Sequence, residues 1–362
     1  MNKNILHIFA SDTWGGGEQY VFDLAKKQTE AGCCVTLLSG KSEILQRKAE
    51  EIPCKYDVLR NRWHFNPFSI CKMRRFMVKN KIKVVHVHQF KDAFIAVFAA
   101  KLIASGKRPK VILTRHLVKK GKHSRLYRWL YNHLDKLIFV SELAKNEFLS
   151  GVQAPDNKIT VIHNSIPENI PVLQDIDYRK RFGLSRNCLL IGFIGRLVQY
   201  KGVEMLIDVA EKLRDRNIAF LLAGSGDKEY ELRLQKIIKD KGLDTRFFLL
   251  GFLNNTAEFI AKMDVGILPS LWREPFGLSI LEFMRAGIPV ITTNTGAQPE
   301  FITHEETGLL VAPRLEEITD ALIKLLDDKN FRNQIGKNAQ LFYAAHLNYA
   351  LFFNRIMTVY NA

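Results

Sequence analysis

Short apolar runs alternate with amphipathic stretches along most of this chain, in two series. The first series places the runs at residues 5–10, 35–39, 84–87, 111–114, 137–140 and 160–162. Runs this short, with no polar alternation inside them, mark parallel strands covered on both faces. Helical periodicity fills the gaps, at 18–31, 67–79 and 93–103. A second series follows, with strands expected at 189–194, 219–223, 247–250, 265–268, 290–293 and 309–311, and helices at 202–215, 228–241, 256–263 and 278–286. Between the series, residues 165–187 contain Pro167, Pro171, mixed charge and no sustained apolar period. The pattern predicts an α/β protein of two doubly wound, Rossmann-like domains facing a cleft. We expect them at 1–168 and 188–339, joined by a linker at 169–187. An aromatic-rich helix or helix pair, 340–362, is expected to complete the first domain. Ligands of such sheets bind off the carboxyl ends of the strands.

At 362 residues the chain has ample length for two cores. Its first apolar run is too short for the core of a signal peptide, and no run reaches the ~18 apolar residues of a membrane span. The five cysteines (Cys33, Cys34, Cys54, Cys71, Cys188) show neither metal-ligand spacing nor a disulfide framework, which fits a reducing cytoplasm. The net charge of +16 is unevenly spread. Residues 1–180 hold 31 Lys and Arg against 16 Asp and Glu, whereas 181–362 hold 22 against 21. A basic half attracts an anionic membrane face or nucleic acid, or it serves solubility alone. Residues 119–133 mix Lys119, Lys120, Lys122, Arg125 and Arg128 with Leu126, Tyr127, Trp129, Leu130 and Tyr131. That mixture suits a helix lying on lipid headgroups, and core burial of the aromatics explains it equally well.

The densest chemistry lies at 268–282, Leu-Pro-Ser-Leu-Trp-Arg-Glu-Pro-Phe-Gly-Leu-Ser-Ile-Leu-Glu. Glu274 precedes Pro275 and Gly277, and Glu282 sits in a helix whose pattern is apolar on nearly every side. Such a helix is expected to be buried and to end at Gly287. A buried carboxylate needs a hydrogen-bonding partner, and a hydroxyl-rich ligand is one candidate. Eight helical residues would rise about 12 Å, roughly the length of a ribose–diphosphate–sugar unit. The N–H groups of Phe276, Gly277 and Leu278 lie between the two glutamates and attract phosphate. A capped core helix with one satisfied glutamate is the competing reading.

Other candidates stand at predicted strand ends. Gly15, Gly16 and Gly17 follow the first strand and precede a helix expected from about Glu18; they suit a phosphate or a plain strand–helix turn. Arg196 and Lys201 follow residues 189–194 beside glycines, a place suited to a departing diphosphate. His116 ends one strand, while His86 and His88 end another on a shared face. His116 is the preferred sugar-contacting or proton-shuttling group, His88 a further candidate, and His7 a core residue. Asp175 and Asp177 have the spacing of a metal-binding carboxylate pair, yet they fall in the expected linker and follow no strand.

Taken together, these pieces resemble the family-4 glycosyltransferases of the GT-B fold, over most of the chain and in family order. Carrying the resemblance are Gly15-Gly16-Gly17, Val140-Ser141-Glu142, Val161-Ile162-His163-Asn164, Gly195-Arg196 with Lys201-Gly202, and Ala223-Gly224-Ser225-Gly226. Glu274-Pro275-Phe276-Gly277 through Glu282, then Gly296, Pro299 and Glu300, complete it. Ser165 replaces the glycine usual after Asn164. The resemblance implies that Arg196 and Lys201 bind the donor diphosphate, that Glu282 holds ribose, and that Glu274 and His116 sit by the donor sugar. It implies that Gly16 and Gly17 approach the distal phosphate; beside these, His88 and Asn164 are candidate acceptor or donor contacts. It also implies retention of anomeric configuration without a metal or other cofactor. No carboxylate pair of the kind used in double displacement is visible, so front-face transfer is expected. The backbone at 251–253 is the expected reader of the base.

The sequence therefore points to a glycosyltransferase that takes sugar from a nucleotide-diphosphate donor. The expected acceptor is a glycan or lipid-linked glycan, as in lipopolysaccharide-core or polysaccharide synthesis, at the inner face of the cytoplasmic membrane. The basic half would meet that membrane. Two alternatives are a sugar-nucleotide epimerase or hydrolase of the same fold, and a nucleic-acid binder. Against the second, the chain carries no nucleic-acid recognition motif.

Overall fold

The computed structural model describes residues 3–11, 14–58, 67–167 and 176–362. The chain divides into two compact units, Met1–Asn164 with Tyr349–Ala362, and Ser165–Asn348. Each is built on one all-parallel sheet.

In the first unit the strands are β1 (Asn4–Phe9), β2 (Cys34–Ser39), β3 (Lys55–Val58), β4 (Val84–Val87), β5 (Lys110–Arg115), β6 (Lys136–Phe139) and β7 (Ile159–Val161), in the spatial order 3-2-1-4-5-6-7. The order reverses between β1 and β4. Their register sets His7 directly opposite His86. β3 was not expected from the sequence: this edge strand alternates exposed and half-buried residues and lacks the apolar run of its neighbours. The three glycines behave differently from expectation. The helix Gly16–Glu30 begins at Gly16, so Gly16 and Gly17 form its first turn, and Gly15 is its extended N-cap with no side chain to cap it.

The second unit carries β8 (Leu189–Ile194), β9 (Ile218–Ala223), β10 (Phe247–Gly251), β11 (Val265–Leu268), β12 (Val290–Thr293) and β13 (Leu309–Val311), in the order 10-9-8-11-12-13. Here the reversal falls between β8 and β11. β9 and β11 are buried at every position, as the apolar runs require.

The boundaries differ from those expected. Part of the expected linker, 169–187, belongs to the second unit. Its described portion forms a short helix, Tyr178–Arg181, and Tyr178 and Cys188 are buried in that unit's core with Ile166. Arg179 fixes the segment, donating to the Cys188 carbonyl at 2.8 Å and to Asp264 at 2.6 Å. Asp175 lies outside the described residues. Nor does the whole of 340–362 complete the first unit. The helix Lys329–Phe342 continues into a π turn, Tyr343–Leu347, and both stay with the second core. Asn348 is extended, and only the helix Tyr349–Asn361 joins the first unit. That helix buries Tyr349, Phe352, Ile356 and Tyr360 against residues of β1, β2 and the helix Gly16–Glu30.

The final helix is thus a core element. Ile356→Ala removes a residue with no exposed surface and is expected to destabilise the protein by about 2–5 kcal/mol. Urea unfolding followed by far-UV circular dichroism measures this, and a loss below about 1 kcal/mol would show that the helix does not stabilise its core.

Candidate active site

In the second unit, the loops leaving β8, β11 and β12 converge at the carboxyl edge of the sheet. The β8 loop runs through Arg196 to Lys201 and turns at Gly202, whose φ of +74° favours glycine. A Cβ there would lie 2.1 Å from the Pro269 carbonyl oxygen, so the β8 and β11 loops meet only without a side chain at 202. Leu271 N donates to the Tyr200 carbonyl at 2.9 Å, which ties the same loops again. From β12, Thr293 Oγ1 donates to the Ser270 carbonyl at 2.6 Å, and Ala297 N to the Glu274 carbonyl at 2.9 Å. Gly296 is the second obligatory glycine, since a Cβ would fall 2.6 Å from Glu274 N.

These loops hold Glu274 at 4% exposure. Its Oε1 accepts from Ser270 Oγ at 2.7 Å and from the Lys201 ammonium. A buried carboxylate is costly without partners; here it has a cation and a hydroxyl. Beside the pair, Arg196 Nη2 donates to the Tyr200 hydroxyl at 2.7 Å. The Tyr200 and Trp272 rings lie 5.0 Å apart, and the Lys201 ammonium stands 5.9 Å from the Trp272 ring. Arg196 itself is exposed.

The helix Leu278–Ala286 starts just past Glu274. Gly277 is its N-cap at φ +97°, with no side-chain cap, and Phe276 is buried against Phe301 at 4.7 Å. The helix ends as expected at Gly287, and Ile288 N closes on the Phe283 carbonyl at 3.0 Å. Two expectations change. Glu282 is not inside a helix buried all round: positions 278, 282, 285 and 286 share one face, and that face is half-buried or exposed. Nor is the stretch from Glu274 to Glu282 wholly helical, because the helix begins at Leu278, so the rise between the two glutamates is not that of eight helical residues.

Sequence reading missed several neighbours. Ser270, Tyr200 and Trp272 contact the Lys201–Glu274 pair or its flanks. Gln298 is completely buried in the β12 loop, and neither end of its amide has a hydrogen-bond partner among the described residues. Their signal was position alone, one or a few residues past an apolar run.

In the first unit the corresponding edge carries histidines. His7 Nδ1 lies 3.2 Å from His88 Nε2, and His88 Nδ1 lies 3.1 Å from His116 Nε2. His7 Nε2 meets Gln28 Oε1 at 2.8 Å. His86 bonds the Tyr360 hydroxyl at 2.7 Å and Thr114 Oγ1 at 2.6 Å. Tyr20 packs edge-on against the His116 ring at 4.7 Å. His7, expected as a plain core residue, is buried but joins His88 and His116. One nitrogen from each of His7, His86 and His88 falls within 4.8 Å of the others, yet the ring nitrogens of all three already bond one another or Gln28, His116, Tyr360 and Thr114. Gly17 has open space where a Cβ would stand. Ser141 caps the helix Glu142–Leu149. Asn164 is buried, and its Oδ1 has no hydrogen-bond partner among the described residues. Ser165, where the resemblance expects glycine, donates its hydroxyl to the Leu347 carbonyl.

Burial pushes the His7 and His116 imidazoles down to about 4, with Arg115 adding to the effect at His116. His86 and His88 lie well below the ordinary histidine value, first through burial, then through His7 and His116 for His86 and through His86, His116 and His7 for His88. Asp92, buried against the Ala10 N–H, is pushed up to about 6 by burial.

The aromatics of residues 119–133 do not form a lipid-facing row. Tyr131 is buried, and Trp129 stacks on Phe98 at 4.2 Å. Among the residues left exposed are Leu126 and the bases Lys119, Lys120, Lys122, Arg125 and Arg128. Among the described residues, no helix is long and apolar enough to cross a membrane.

Known proteins match this geometry. The family description "Glycosyl transferases group 1" matches residues 175–342, and "Glycosyltransferase Family 4" matches residues 14–169. An uncharacterized glycosyltransferase of Methanocaldococcus jannaschii is 33% identical over 61% of this chain and 58% of its own length. The Escherichia coli UDP-Gal:alpha-D-GlcNAc-diphosphoundecaprenol alpha-1,3-galactosyltransferase is 27% identical over 75% of this chain and 73% of its own. The Anabaena protein HepE, solved with UDP and glucose, superposes with a TM-score of 0.83 at 20% identity, covering 99% of each chain. The two-sheet architecture is therefore that of the GT-B fold.

The buried histidines make stability depend on pH. Between about pH 4 and 6.5, folded His7 binds fewer protons than the unfolded chain. Its contribution is present above pH 6.5 and lost as pH falls through that window, about 3 kcal/mol in all. Asp92 acts in the opposite sense over an overlapping window. The prediction is therefore comparative: His7→Gln should lose less unfolding free energy than the parent between pH 7 and pH 4, measured by urea titration. Equal losses would refute it.

Proposed function

The chain belongs to the family-4 glycosyltransferases, and from that premise we propose that it moves a sugar from a nucleotide-diphosphate donor to a glycan or lipid-linked glycan acceptor, with retention and without a metal. The observation that carries this reading is the buried Lys201–Glu274 pair, held with Ser270 at the carboxyl ends of β8 and β11. Parallel α/β sheets bind ligands where the strand order reverses, and this pair stands at the reversal. Arg196, Lys201 and the N–H groups at the start of the helix Leu278–Ala286 are the positive groups for the diphosphate. They supply the charge stabilisation that leaving-group departure requires. Lys201 then faces two anions, Glu274 and the diphosphate, and couples donor binding to the position of the carboxylate.

Glu282, on the half-buried face of the same helix, takes the ribose hydroxyls. Glu274 and His116 take the donor sugar, Gly16 and Gly17 the distal phosphate, and His88 and Asn164 are supporting contacts. The transfer is front-face, with the departing phosphate oxygen accepting the acceptor's proton. UDP in the HepE structure and a diphosphoundecaprenol-linked acceptor in the Escherichia coli relative support the two substrate classes. The exposed bases at 119–128 meet the anionic inner face of the cytoplasmic membrane, where such an acceptor would reside.

Two experiments test the reading. A panel of UDP-, GDP-, ADP- and CMP-sugars scored by thermal shift identifies the donor, and Glu274→Gln should then reduce transfer at least ~100-fold when assayed at a temperature where far-UV circular dichroism shows the variant folded. Full activity in that variant sinks the site. Changing Lys119, Lys120, Arg125 and Arg128 together to Glu should weaken binding to anionic phospholipid vesicles at least ~100-fold, since each nearby base contributes about 1 kcal/mol. Unchanged sedimentation with vesicles removes the membrane assignment.

A further inference from the structure

The amide of Gln28, with no exposed surface, serves two branches of one buried network. Its Oε1 meets His7 Nε2 at 2.8 Å, and its Nε2 donates to the Tyr360 hydroxyl at 3.2 Å. An amide oxygen only accepts, so the proton of neutral His7 sits on Nε2 and its Nδ1 is a lone pair. His88 Nε2, 3.2 Å away, must then carry the proton that bonds His7. That leaves His88 Nδ1 bare, so His116 Nε2, 3.1 Å away, must donate to it. His116 is thereby the Nε2–H tautomer with a bare Nδ1. The second branch is consistent with the same amide orientation. Gln28 donates to the Tyr360 oxygen, Tyr360 donates its hydroxyl proton to His86 Nδ1, and His86 Nε2–H donates to Thr114 Oγ1.

Both branches need neutral rings, and burial keeps them neutral at physiological pH. Tyr20, packed edge-on against both His88 and His116, limits rotation of the two terminal rings. Gln28 on the helix Gly16–Glu30, His7 on β1, His88 after β4 and His116 after β5 thus form one polarised line across three neighbouring strands.

We propose that Gln28 is a positioning residue that determines donor specificity: through His7 and His88 it fixes His116 as a hydrogen-bond acceptor at Nδ1, so the ligand atom met there must be a hydroxyl that donates. This rests on the assignment of His116 to the donor sugar. A sugar whose hydroxyl at that position is replaced by fluorine, which cannot donate, is discriminated against; one carrying the hydroxyl is accepted. The same ring as the Nδ1–H tautomer would reverse that preference.

The test reads the tautomers directly, on the full chain and without donor. In protein labelled with 15N-histidine at pH 7.5, His7, His88 and His116 should each be protonated on Nε2 and bare on Nδ1. An Nδ1–H tautomer at His116 overturns the proposal whatever the state of any variant. Gln28→Met keeps the length of the side chain and removes both hydrogen bonds. It should leave His116 without a single tautomer and raise the donor KM roughly tenfold, the scale of one lost hydrogen bond, with kcat less affected. An unchanged His116 tautomer in Gln28→Met overturns the role of Gln28. His116→Ala separates the two readings: an unchanged donor KM there refutes the placing of His116 at the sugar and the specificity claim with it, while the donor-free spectra still report whether Gln28 sets the ring.

Discussion

The structure of the second unit turns on one buried ion pair. Lys201 and Glu274 are far apart in sequence and come together at the reversal of strand order, each with little exposed surface. Removing one partner of such a pair costs about 3–5 kcal/mol, because the other is left buried and charged. The loops around it follow from that constraint. Gly202 lets the β8 loop close on Pro269, Gly296 lets the β12 loop close on Glu274, and Thr293 and Ala297 satisfy the carbonyls between. The groups of the pair are already desolvated and oriented, the condition under which charges stabilise a neighbouring charge without reorganisation.

The first unit handles the same topological position differently. Where the second unit places charge at its reversal, the first places neutral imidazoles that bond one another in line. Arg115, beside His116, disfavours protonation further. The two units therefore offer opposite chemistries at equivalent edges: a charged carboxylate–ammonium pair in one, directional neutral acceptors and donors in the other.

Charge follows the same division along the chain. The excess of Lys and Arg lies almost wholly in the first 180 residues, and its exposed portion around Arg125 stands on a helix whose aromatics are turned into the core. Basic side chains are left at the surface with only Leu126 among large apolar ones on that helix. Such a surface can act through charge rather than through insertion, and charge of this kind is screened by salt.

How much of this was legible beforehand depends on range in sequence. Uninterrupted apolar runs separated by helical periods fix two parallel sheets, because a strand covered on both faces has no polar side to show. Glu274, Lys201 and Arg196 were identifiable as chemistry at strand ends, and Gly287 as a helix stop. The sequence by itself thus determined the strands other than β3, their order along the chain and several of the side chains at their carboxyl edges. Tertiary structure alone decided which of them meet. Glu282 lies on a half-open face because the contacts of its helix select that face, which a nearly all-apolar pattern leaves undetermined. Lys201 finds Glu274, and Gln28 finds both His7 and Tyr360, across gaps of 73, 21 and 332 residues. Periodicity reports the direction of a side chain relative to its own backbone; strand order and loop closure bring distant side chains into one place, and no local pattern encodes them.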